Sequence, residues 1–134
     1  MMENLYIEPT EFTPKINFDI TNRKFELIGT SRPEDVVAFF DSIIYKIEKY
    51  VNSVMNEQDD LENFHFHLVF DLDYMNSASS KYILQILDHF KNLYRKKAKI
   101  TVDWYYEDID DQIFEDGEDL SDVIKIPFNL KPRD

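Results

Sequence analysis

From Phe64 to Asp73 the sequence alternates without interruption: Phe64, Phe66, Leu68, Phe70 and Leu72 fall on one side, and His65, His67, Val69, Asp71 and Asp73 on the other. A two-residue period of this length specifies a β-strand with one buried and one more polar face, because a slip of one residue would exchange the two sets. The period then changes. Asn76-Ser77-Ala78-Ser79-Ser80 supplies helix-capping residue types, and Ile83, Leu84, Leu87, Phe90 and Tyr94 recur at helical steps. A second alternating run follows, with Ile100, Val102, Trp104 and Tyr106 against Thr101, Asp103 and Tyr105. Strand, helix and strand in this order imply a right-handed crossover between parallel strands. The junction at residues 76–80 then lies at a strand's carboxyl end, where such sheets commonly carry their sites.

The flanking sequence predicts short strands over residues 5–7, 15–20 and 24–28, with Thr21-Asn22-Arg23 as a hairpin turn and Gly29 closing the unit. Ser31-Arg32-Pro33-Glu34 has capping-box spacing and predicts the start of a helix. That helix carries Val37, Phe40, Ile44, Ile47, Val51 and Val54, with Val36, Phe39 and Ile43 widening the stripe enough to lie on a sheet. Residues 56–63 are polar and acidic and read as a loop. After the second alternating run, Ile109, Ile113, Phe114 and Leu120 offer anchors for a short helix within an acidic segment, 107–122. Residues 123–128 then read as a closing strand with Pro127 suited to an edge. The expected fold is a single α/β domain over residues 1–134: a mixed sheet with an N-terminal hairpin and a β-α-β crossover, and two main helices packed on it.

At 134 residues and 43% hydrophobic content the chain is large enough to bury one core. A formal net charge of −12 opposes nucleic acid and anionic lipid, and neither is an expected partner. The one basic cluster, Arg95, Lys96, Lys97 and Lys99, suits the negative end of a helix dipole. With no cysteine there are no disulfides and no thiolate sites, and with no signal or membrane-spanning run the expected location is the cytoplasm.

Several chemistries can be weighed against these residues. His65, His67 and Asp71 share a strand face, but the sequence offers no convincing further metal ligand, and no metal or other cofactor is expected. His89 reads as an ordinary boundary residue. The acidic segment lacks the glycine and oxygen spacing of an EF-hand loop and reads as a solvated face or as a docking surface for a basic partner. Asp71 and Asp73 after an apolar strand resemble the paired carboxylates of haloacid-dehalogenase-type phosphatases. Met75 and the two histidines depart from that pattern. A nucleophile elbow is absent, and only two glycines occur. At the junction, by contrast, Ser77, Ser79 and Ser80 lie where unpaired N–H groups and the positive end of a helix dipole favour an added phosphate.

Thr13-Pro14-Lys15-Ile16, Ser31-Arg32-Pro33-Glu34, Tyr74-Met75-Asn76-Ser77-Ala78-Ser79-Ser80-Lys81, Trp104-Tyr105-Tyr106-Glu107-Asp108, Gly117-Glu118-Asp119 and Ile126-Pro127-Phe128, in this order and spacing, resemble the SiaC family of bacterial regulatory phosphoproteins. That family is similar in architecture to STAS-type anti-sigma-factor antagonists. The resemblance covers about residues 5–129 and implies a non-enzymatic switch. A serine/threonine kinase modifies a hydroxyl at the strand-to-helix junction, a phosphatase reverses it, and the unphosphorylated form engages an output protein, a diguanylate cyclase in the namesake pathway. By motif position the acceptor falls on Ser77. Ser79 is the second candidate, because the family usually reads Asn-Thr-Ser-Ser where this chain reads Asn76-Ser77-Ala78-Ser79. Tyr74, Asn76, Ser79, Ser80 and Lys81 are the expected partner-binding residues. Two other functions compete with this one: a small metal-dependent phosphatase using Asp71 and Asp73, and a constitutive scaffold that binds basic partners through its acidic surface.

Overall fold

The computed structural model describes residues 2–133. The turn at Thr21-Asn22-Arg23 folds β3 (Lys24–Ser31) back on β2 (Lys15–Asp19), and β1 (Leu5–Ile7) adds antiparallel to the outer side of β2. From β3 onward every connection is a helix: α1 (Val36–Glu57) leads to β4 (His65–Met75), α2 (Ser77–Arg95) to β5 (Lys99–Glu107), and α3 (Asp111–Ile124) to β6 (Phe128–Arg133). Strands β3 to β6 are parallel, and the sheet order is β1-β2-β3-β4-β5-β6. Each crossover steps in the same direction. Right-handed crossovers of that kind put every helix on one face of the sheet. The strand order never reverses, so the sheet has no crevice of the sort that holds nucleotides in doubly wound folds.

The covered face carries Ile16, Phe18, Phe25, Leu27, Phe66, Leu68, Phe70, Leu72, Val102 and Trp104, all fully buried against Phe40, Ile43 and Ile47 of α1 and Ile83, Leu87 and Phe90 of α2. The alternation read in β4 and β5 is the alternation observed. On the open face Lys15, Lys24 and Asn17 surround Glu26. Beside them Asp103 is only 5% exposed. His67 Nε2 lies 2.6 Å from Asp103 Oδ2, Asn129 Nδ2 donates to Oδ1 at 3.0 Å, and Lys131 Nζ lies 3.4 Å from Oδ1. Burial pushes the Asp103 carboxyl up, but the hydrogen bonds from Asn129 and His67 and the charges of His67 and Lys131 outweigh it and hold the group below the ordinary value of 3.8. A depressed carboxylate contributes stability above the unfolded-state pKa and loses it as pH falls through the folded one. Asp103→Ala is therefore expected to cost about 2 kcal/mol at neutral pH. The deficit should close below pH 3.8, as read from urea midpoints across pH.

Three boundaries differ from the expectations. The first helix does not begin with a Ser31 capping box: its N-cap is Asp35, whose Oδ1 accepts from Ala38 N at 3.0 Å. Ser31 instead extends β3, paired in register with Met75. With the start displaced, Val37 is 49% exposed, and the buried stripe runs through Phe40, Ile43, Ile47, Tyr50, Val51 and Val54. The acidic segment forms a full third helix rather than a short one. Ile113, Gly117, Leu120 and Ile124 recur every three or four residues and bury one face, so its carboxylates are confined to the others. Finally, residues 123 and 124 end α3, Lys125 adopts the left-handed conformation (φ 60°) that stops it, and the last strand is Phe128–Arg133 rather than 123–128, with Pro132 on the free edge. The basic cluster closes α2 as read from the sequence: Arg95 lies in its last turn, and Lys96 Nζ donates to Met55 O at 3.2 Å. Among the described residues no helix is long and apolar enough to cross a membrane.

Candidate functional site at the β4–α2 junction

Gly29 is in β3 at φ +121°, a conformation that L side chains rarely adopt, and the register with β4 slips just after it. Gly29 pairs with Leu72 but Thr30 pairs with Tyr74, so Asp73 is an extra residue in β4. This bulge breaks the alternation at the strand's end. Asp73 and Tyr74 both face solvent, Tyr74 at 50% exposure, while Met75 turns into the core.

The chain then enters α2 at once. Asn76 is the N-cap, and its Oδ1 accepts from Ser79 N at 2.8 Å. Ser77 is the first residue of the helix and is exposed; Ser80 is half-buried, and Lys81, one turn beyond Ser77, is exposed. Ser79 differs from both. It is fully buried, accepts a hydrogen bond from Ser31 Oγ at 2.8 Å and donates to Ser31 O at 3.1 Å. Asn76 N donates to the same Ser31 carbonyl at 3.0 Å. The first turn of α2 is thus fastened to the end of β3 across 48 positions of sequence. A hydroxyl in that position has no surface to offer an enzyme or a partner while the fold is intact. Ser79→Ala leaves the buried Ser31 hydroxyl without its acceptor and is expected to cost about 1–3 kcal/mol. The double variant Ser31→Ala/Ser79→Ala should cost less than the two single changes summed, a comparison that urea unfolding measures directly.

Beside the junction Asp71 and Asp73 are engaged by Arg133 from β6. Its Nη1 donates to Asp73 Oδ1 at 2.9 Å, its Nη2 donates to Leu72 O at 3.1 Å, and its Nε lies 3.3 Å from Asp71 Oδ1, in ion-pair contact but off hydrogen-bond alignment. Burial raises the Asp71 carboxyl above its ordinary range, Arg133 pulls it down, and Asp73 pushes it further up. A guanidinium between the two carboxylates is a poor setting for metal-assisted phosphoryl chemistry, which needs them free to hold a cation. The two histidines are spent elsewhere: His65 Nε2 is 2.9 Å from Thr101 Oγ1, and His67 belongs to Asp103.

Residues 7–133 match the model of the SiaC family regulatory phosphoproteins. The chain belongs to the SiaC family. The family is regulatory rather than enzymatic in character. An uncharacterized protein of Pseudomonas aeruginosa strain UCBPP-PA14 is 26% identical over 133 residues, 99% of each chain. Among solved structures, apo-SiaC of Pseudomonas aeruginosa superposes with a TM-score of 0.81 at 23% identity, covering 97% of this chain and 99% of that one. The chain in the crystal structure of the diguanylate cyclase SiaD with its activator SiaC, from the same organism, gives 0.81 at 22% identity, covering 96% and 99%. These likenesses extend over nearly the whole chain.

Ser31 reads in the sequence as a helix cap rather than as part of the site, and Arg133 is not singled out there. Neither carries a local signal of its role: Ser31 has the residue type of a helix cap, and Arg133 is 60 positions from Asp73.

Proposed function

We propose that this SiaC-family protein is a cytoplasmic binding switch in which Ser77 carries the phosphate, added by a serine/threonine kinase and removed by a phosphatase. The observation that carries the reading is the contrast between two neighbouring hydroxyls: Ser77 is exposed as the first residue of a capped helix, and Ser79 is buried and bonded. A phosphate on Ser77 would meet the positive end of the α2 dipole, and Lys81, four positions on, shares its side of the helix. The half-exposed Tyr74 supplies an apolar contact beside it, with Asn76, Ser80 and Lys81 completing the partner surface; Ser79 serves as its internal support. SiaC of Pseudomonas aeruginosa activates the diguanylate cyclase SiaD, and a diguanylate cyclase is the output partner we assign to this chain in its unphosphorylated form. Incubation with its cognate serine/threonine kinase and ATP should add about 80 Da to the peptide containing Ser77. Ser77→Ala should abolish that addition, and modification that persists at another residue would overturn the assignment.

A further inference from the structure

The turn between β5 and α3 reads Glu107-Asp108-Ile109-Asp110-Asp111, and Ile109 in its centre is 90% exposed. The turn is built rather than slack. Asp110 N donates to Glu107 O at 2.8 Å, and Asp110 Oδ1 accepts from Ile113 N at 3.1 Å as the N-cap of α3. The chain therefore fixes a branched apolar side chain in water, inside a collar of carboxylates. A cleft of about 430 Å³ runs beside it, lined by Glu107, Asp108, Ile109 and Arg133. Arg133 is the same guanidinium that holds Asp73, next to Tyr74. Ile109 and the β4–α2 junction thus border a single side chain at one pole of the sheet.

We infer that the Ile109 turn is a docking knob, which seats in an apolar socket rimmed by lysine or arginine on a partner protein and forms one continuous surface with Tyr74 and the Ser77 junction. The inference rests on the proposed switch for the identity of that partner. Charge selects its chemistry: on a chain of net charge −12, a collar of four carboxylates repels acidic proteins, nucleic acid and anionic lipid alike and attracts a basic rim. Isoleucine at the centre supplies the desolvated contact that such rims enclose.

Site-directed photocrosslinking tests it, with benzoylphenylalanine placed at position 109 or 74 of the full chain in the bacterium that makes it. The expected result is one protein joined at both positions, through a segment at 109 that combines apolar residues with lysine or arginine. Capture of that purified protein should fall at least tenfold in Ile109→Ser and in Asp108→Lys/Asp111→Lys, and should fall with added salt. Crosslinking at 74 alone would overturn the knob and leave the Ser77 switch standing. A second copy of this chain joined at 109, or an acidic segment there, would overturn the assigned occupant. Silence at both positions would defeat the knob and the switch surface together.

Discussion

Alanine at Gly117 is expected to destabilise the protein by about 2 kcal/mol, lowering its melting temperature by about 8 °C. A β-carbon there would lie 2.5 Å from Trp104 Cδ1 and 2.6 Å from Nε1. The indole is fully buried, and its N–H donates to Ile113 O at 2.8 Å, so the ring cannot retreat without giving up that bond. Alanine ordinarily gains about 1 kcal/mol over glycine inside a helix. Overpacking and the strained indole bond together cost about 3 kcal/mol and decide the sign. Thermal unfolding followed by circular dichroism measures the change. Trp104→Phe in the Gly117→Ala background should recover part of it, since the smaller ring removes the clash; a melting temperature at or above that of the parent would show that the indole moves freely.

Phosphoserine installed at position 77 should weaken capture of the output partner by about a hundredfold, against a change in fold stability of no more than about 1 kcal/mol. The two magnitudes have different origins. In the free protein the phosphate sits at an exposed helix start and is solvated, so the fold scarcely registers it. In the complex, a partner that covers Tyr74 must strip water from a dianion lying three positions away, which costs several kcal/mol unless a cation meets it. Ser77→Asp, with one charge and a shorter reach, should lose about tenfold. Titration calorimetry with the crosslinked partner gives both numbers. Tighter binding by the phosphorylated form would reverse the direction of the switch.

The parts of this fold that could be read in the sequence are those whose cause is local. β4 and α2 announce themselves because burial on one face imposes a period, and Asn76 caps because its side chain reaches only three residues on. The parts that escaped depend on residues far apart in the chain. Ser31 has capping-box chemistry, yet a hydroxyl 48 positions away claims it and the strand continues. The bulge at Asp73 is set by a left-handed glycine in the neighbouring strand, so the outward turn of Tyr74 has no signature in β4 itself. In the acidic segment the sequence names Ile113 and Leu120 as helix anchors, but Gly117 and Ile124 complete the buried stripe, and Ile109 stands outside the helix in the turn. In the site, Ser77 could be placed by its position in the motif. Only burial separates it from Ser79, and burial is a property of the assembled layers.

The parallel course of β6 beside β5 has a practical result. The chain leaves the sheet at Arg133, on the same rim as Tyr74, whereas Met2 lies by the hairpin turn at the far end. A bulky probe attached at position 131 or 133 would crowd the proposed switch surface and mimic a loss of binding; one attached at Met2 would leave that rim clear.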